Sequence, residues 1–241
     1  MTIFDVVVVF LGIVAGAVAS ISGFGIGSIL TPLLASQAGT KAAVAAVSIP
    51  HLLGTAVRFW TLRRHISRRV LLSFGLMSAA GGLTGALLNA RANNPVLNAV
   101  FGALLMFAGI TGLTGLSEKM RFGGKVAWVA GALSGFFGGL VGNQGGIRSA
   151  SLLGFEISPQ EFVGTATAIG LIVDAARIPV YLTNDYDEVR ALELWVLLAA
   201  IGVLAGTWIG LTALRRVPPA KFRPVVSSLI LALGIYMLFQ V

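Results

Sequence analysis

The chain has 241 residues, 56% of them hydrophobic and only 11% charged, with a mean hydropathy of +0.92, so it cannot wrap itself in the polar surface of a water-soluble domain. Its 17 Lys and Arg give a net charge of +8, but they cluster between apolar runs as the loops of a membrane protein do, which argues against nucleic-acid binding. With no Cys and two His, disulfides, thiolate sites and Cys nucleophiles are excluded, a zinc or haem site is unsupported, and no cofactor is expected.

The chain opens MTIFD, without the basic start of a cleaved leader, so the first apolar run is expected to stay in the mature protein. Apolar runs follow at 3–21, 24–37, 42–62, 70–88, 95–116, 125–142, 147–155, 161–183, 191–214 and 222–240. At about 20 apolar residues per crossing they offer about seven or eight passes. The runs at 24–37 and 147–155 are too short to cross. Each follows a Gly-rich interruption, GFGIG at Gly23 to Gly27 and GNQGG at Gly142 to Gly146. Non-helical backbone at membrane depth persists only where protein or a water-filled cavity satisfies it.

Sliding the chain on itself by 119 positions pairs Gly16 with Gly135, Gly23 with Gly142, Gly27 with Gly146, Leu33 with Leu152 and Arg58 with Arg177. Such coincidence of breaks, short segments and an intramembrane Arg predicts a duplication. If 3–37 and 125–158 are re-entrant hairpins, eleven of the 17 cations, in the groups 63–69, 119–125 and 215–223, share one face. Lys41, Arg91 and Arg190 then lie on the other. The positive-inside rule favours this arrangement, with a cytoplasmic basic face and both termini periplasmic in a bacterial inner membrane. The expected fold class is therefore an all-α polytopic membrane protein of two inverted repeats, each a re-entrant hairpin plus three transmembrane helices. The first repeat, 1–118, holds hairpin 3–37 and helices 42–62, 70–88 and 95–116. The second, 119–241, holds hairpin 125–158 and helices 161–183, 191–214 and 222–240.

Arg148, directly after GNQGG, is the first candidate for binding an anion, because a half-helix start offers free backbone N–H groups and the guanidinium forks two bonds to an oxyanion. Arg58 and Arg177 lie inside apolar segments, where an unpaired guanidinium is costly. The alternatives are snorkelling of Arg58 to the membrane surface and pairing of Arg177 with Asp174. Gly23, Gly25 and Gly145 would let backbone approach a ligand, and Ser22, Ser28, Asn143 and Gln144 would add neutral hydrogen bonds. For each serine, local capping or helix-to-helix bonding is the plainer reading. Thr165 and Thr167 share a segment with Asp174 and would face the same cavity or bond back to their own helix. Asp174 and His51 are candidates for proton coupling, since each is ionisable within an apolar run. Tryptophans 60, 128, 195 and 208 read as interfacial anchors.

The hairpin GFGIGSILTPLL, the downstream Arg58, the break GNQGGIRSASLL and the stretch TATAIGLIVDAAR together resemble the sulfite exporter TauE/SafE family, also called the 4-toluene sulfonate uptake permease family. The resemblance runs along nearly the whole chain, and the order and doubling of the motifs carry it. It implies a bacterial secondary transporter for sulfite, a sulfonate or a related organosulfur anion, working without ATP and embedded in the lipid bilayer. A homodimer is left open. An anion channel of the same architecture is the nearest alternative. An intramembrane enzyme is more remote, because Ser20 stands where a Ser/His protease of this kind needs Gly.

Overall fold

The computed structural model describes residues 2–89, 95–115, 125–141, 144–184 and 186–239. Among these residues all regular structure is helical, as an apolar chain in lipid requires, since a helix satisfies its backbone polar groups within one segment. Helix α1 (Ile3–Ser22) opens on a reciprocal cap. Thr2 accepts from the Asp5 N–H at 3.2 Å, and the Asp5 carboxylate accepts from the Thr2 N–H at 2.6 Å. It stops at Gly23, whose φ of 79° suits a residue without Cβ. After Phe24, Gly25 at φ 136° starts α2 (Ile26–Ala38).

Helix α3 (Thr40–Leu62) follows, then a 3-10 turn (Arg63–His65). A short α4 (Arg68–Val70) runs through a π-turn (Leu71–Gly75) into α5 (Leu76–Asn89). Next come α6 (Pro95–Leu113), α7 (Lys125–Val141) and α8 (Gln144–Leu152). The series closes with α9 (Pro159–Asn184), α10 (Tyr186–Ala191), α11 (Glu193–Leu214) and α12 (Pro219–Leu238). Among the described residues, Ile3–Ser22, Ala42–His65 and Glu193–Leu214 are long and apolar enough to cross a membrane. The 13 residues of α2 reach about 20 Å, too short to cross.

Helix α1 packs along α11, α5 along α7, and α6 along α12, while α3 sits between α2, α9 and α11. Lipid gives apolar helices no hydrophobic reason to associate, so close backbone approach must supply the attraction. Small residues permit it. A Cβ on Gly206 of α11 would collide with the Ile13 carbonyl of α1, and one on Gly135 of α7 with the Ser78 carbonyl of α5. The two seams are alike: the helix preceding a break lies against a helix from the other half of the chain.

Among the described residues, two apolar clusters fill the interior. One joins Phe24, Phe74, Leu152, Phe162, Ile169 and Ile230, and the other joins Val8, Ile26, Leu34, Ala43, Val196 and Val203. Large apolar side chains such as Phe10, Val129, Leu197 and Trp208 also point outward, the pattern expected where the surrounding solvent is hydrocarbon. Trp195 has partners within the protein. Its indole N–H donates to the Asp5 carboxylate at 3.1 Å and its ring meets Phe4 edge-on, tying α11 to the start of α1.

Candidate functional site

The start of α8 meets the end of α1 and the start of α2. Ser149, in α8, donates its hydroxyl proton to the Ser22 carbonyl at 2.9 Å. Gly145 lies so close to Phe24 that a Cβ there would overlap the phenylalanine, and a Cβ on Gly23 would come within 2.9 Å of Ala166 on α9. The starts of α2 and α8 therefore converge beside α9, and each carries backbone N–H groups that its own helix leaves without partners. This favours an anion, though a helix start alone does not make a site. The decisive features are charged side chains on the neighbouring helices.

On α3, His51, Thr55 and Arg58 recur at intervals of four and three and so share one helical face. Across from them on α9, Thr167, Gly170 and Asp174 do the same. The Asp174 carboxylate lies 2.6 Å from His51 Nδ1, linking the two helices. Thr55 Oγ1 stands 3.5 Å from the same nitrogen and accepts from Arg58 Nη2 at 3.0 Å. Arg58 is only 2% exposed, so it does not snorkel. The alternative reading, in which it reaches the membrane surface, fails because its guanidinium turns along α3 toward Thr55 rather than outward. Its Nε and Nη1 have no hydrogen-bond partner among the described residues.

Arg148 is equally enclosed, at 4% exposure. Its guanidinium lies against Gly170 at ordinary contact distance from where a Cβ would stand, one turn of α9 before Asp174. The charges of Arg148 and Asp174 both act on Arg58. Two buried arginines, a carboxylate and a titratable imidazole thus form one electrostatic group around the junction of the breaks, where low dielectric makes every charge count for more than in water.

A profile of the sulfite exporter TauE/SafE family matches residues 8–237. The chain belongs to that family. Comparison with curated proteins and with solved structures found no match. Membership makes the chain an integral membrane protein of a transporter family for sulfite and related sulfur anions in general.

Of the candidate residues read from the sequence, Gly23, Gly25, Ser22, Gly145 and Arg148 come together at the break junction, with Arg58, His51 and Asp174 beside it. The Ser22 hydroxyl is engaged locally, 2.9 Å from the Val18 carbonyl and 2.8 Å from that of Phe24, so the capping interpretation describes it. Ser28 is buried in the first turn of α2. Asn143 lies outside the described residues, as do the side chains of Gln144 and Arg177. Thr165 does not face the charged group: its hydroxyl accepts from the Ser67 N–H at 2.9 Å and fixes the loop after α3. Thr167 is 1% exposed and its hydroxyl has no partner among the described residues. Sequence reading missed Thr55, Ser149 and Gly170. The helical spacing of Thr55 from His51 and Arg58, and of Gly170 from Thr167 and Asp174, is the signal that would have found two of the three.

Proposed function

We propose that the chain is a secondary transporter of a small sulfur-containing oxyanion, such as sulfite or an organosulfonate, bound where the two breaks meet α3 and α9. The observation that carries this reading is Arg58: a guanidinium 2% exposed, with two nitrogens lacking partners among the described residues. A buried donor without an acceptor costs about 1–3 kcal/mol, more when charged, so the site is strained until an acceptor arrives. A pyramidal or tetrahedral sulfur oxyanion supplies several acceptor oxygens and a compensating charge. Arg148 approaches from α8 and the N–H groups at the starts of α2 and α8 from the breaks, so a bound anion would be held by forked side-chain donors and by backbone together.

The His51–Asp174 pair gives the same site a proton-accepting group. We assign it to coupling, because a carboxylate and an imidazole 2.6 Å apart exchange charge with the least movement of atoms. The likeness of the α1–α11 and α7–α5 seams supports two inverted repeats, 1–118 and 119–241, that rock about the junction to expose it to either side. We assign the groups 63–69 and 215–223 to the cytoplasm and both termini to the periplasm. Green fluorescent protein fused at the C-terminus would then stay dark, and a bright fusion would overturn the orientation.

Transport is tested with purified protein in liposomes and labelled sulfite. Saturable uptake that rises above equilibrium under an imposed pH gradient is expected, with half-saturation in Arg58→Gln moved to about tenfold higher sulfite. Flux that never saturates and never exceeds the equilibrium ratio would make the protein an anion channel built on the same path.

A further inference from the structure

Helices α11 and α12 are consecutive but lean on different neighbours, α11 on α1 and α3, α12 on α6 and α8. Near the connecting loop their inner sides are closed by buried Leu211, Leu214, Phe222 and Val226. On the outward side a cavity of about 720 Å³ opens between them. Its wall on α11 is one helical face, at positions 208, 209, 212 and 213, Arg216 stands in the turn just beyond that helix, and its wall on α12 is positions 221 and 225. The lower wall is apolar: Trp208 and Ile209 are well exposed, and the Thr212 hydroxyl is tied to the Trp208 carbonyl at 3.0 Å.

The two cations, Arg216 and Lys221, lie at the same end, because one follows the last turn of α11 and the other occupies the first turn of α12. Neither forms an ion pair among the described residues. From Leu214, the last residue of α11, to Trp208 the helix descends about 9 Å, and Arg216 lies in the turn beyond it, so cation and indole are separated by the step from a headgroup to the upper acyl chain.

The geometry points to a binding site for an anionic phospholipid, with its phosphate between Arg216 and Lys221 and an acyl chain along Trp208, Ile209 and Val225. A free anion would gain nothing from the apolar wall, and a zwitterionic lipid would leave the two cations without net counter-charge. Each basic side chain near a membrane surface favours an anionic lipid by about fivefold, so the pair favours it by about 25-fold.

The test reconstitutes the full chain in phosphatidylcholine vesicles doped with brominated phosphatidylglycerol or brominated phosphatidylcholine. Quenching of Trp208 is taken as the difference from Trp208→Phe. Brominated phosphatidylglycerol should quench at about one twenty-fifth the mole fraction that brominated phosphatidylcholine needs. Arg216→Gln with Lys221→Gln should erase the difference, and Arg216→Lys with Lys221→Arg should keep it. Equal quenching of the wild-type chain by the two lipids overturns the site without any variant having to fold. A preference that survives the double Gln substitution overturns it too.

Discussion

Helices α3 and α11 pack against each other, yet the arginines near their ends live in opposite surroundings. Arg58 is enclosed, bonded to Thr55, with Arg148 and Asp174 close enough to act on its charge. Arg216, just beyond α11, is exposed at the rim of an outward-facing cavity. Arg63, one turn past Arg58, is exposed as well and lies over the Trp60 ring at 3.6 Å. Five residues of helix are enough to change the solvent of a guanidinium from water to protein. A cation at the rim keeps most of its hydration, and its interactions are worth little to stability. A cation in the interior has lost that hydration and must recover it from fixed partners, so each partner removed is felt strongly.

Removing a buried cation is therefore expected to have the largest effect. A charge-assisted hydrogen bond contributes about 1.5–3 kcal/mol, so Arg148→Ala should weaken sulfite binding about 10- to 150-fold in calorimetric titration. Arg148→Lys should restore only part, because the charge returns without the planar fork. Wild-type affinity in a well-folded Ala variant would move the anion away from α8.

Arg58→Gln comes next. The amide keeps a donor toward Thr55 but loses the charge, and a drop in sulfite affinity of about tenfold is expected. If binding is unchanged while thermal stability falls, Arg58 is a structural cation and the comparison with Arg216 loses its functional half.

Asp174→Asn is expected to act differently from either arginine. The amide can still meet His51 at similar distance but cannot take up or release a proton. Uphill transport driven by a pH gradient should fall severalfold more than sulfite affinity. Equal losses in the two assays would show that the His51–Asp174 link only holds α3 to α9.

The smallest effects belong to the rim. Arg63→Gln gives up an exposed cation–π contact worth about 0.5–1 kcal/mol and should leave sulfite binding unchanged. Arg216→Gln should shift unfolding by no more than about 0.5 kcal/mol and leave the affinity for sulfite as it was. A rim substitution that lowered sulfite affinity as much as Arg148→Ala would erase the distinction between the two environments.

The sequence by itself determined the class of the protein. Apolar runs with few charges demand helices in lipid, and Gly23 and Gly25 announce a break because only glycine takes their positive φ without strain. It also named the charged candidates, since an ionisable residue in an apolar run is conspicuous wherever it ends up. The tertiary structure alone decided which of them meet. His51 and Asp174 are 123 positions apart, and no local pattern says that α3 will pack on α9 rather than elsewhere. Whether Arg58 turns inward or snorkels depends on which acceptors the neighbouring helices offer, and Thr55 had no mark in the sequence beyond its spacing. Thr165 and Thr167 look alike in the chain, two positions apart on one helix. One accepts from the Ser67 N–H and fixes a loop, while the other lies buried on the face that carries Gly170 and Asp174. A helix turns about 100° per residue, so two positions send neighbouring side chains to different partners, and only packing assigns the partners.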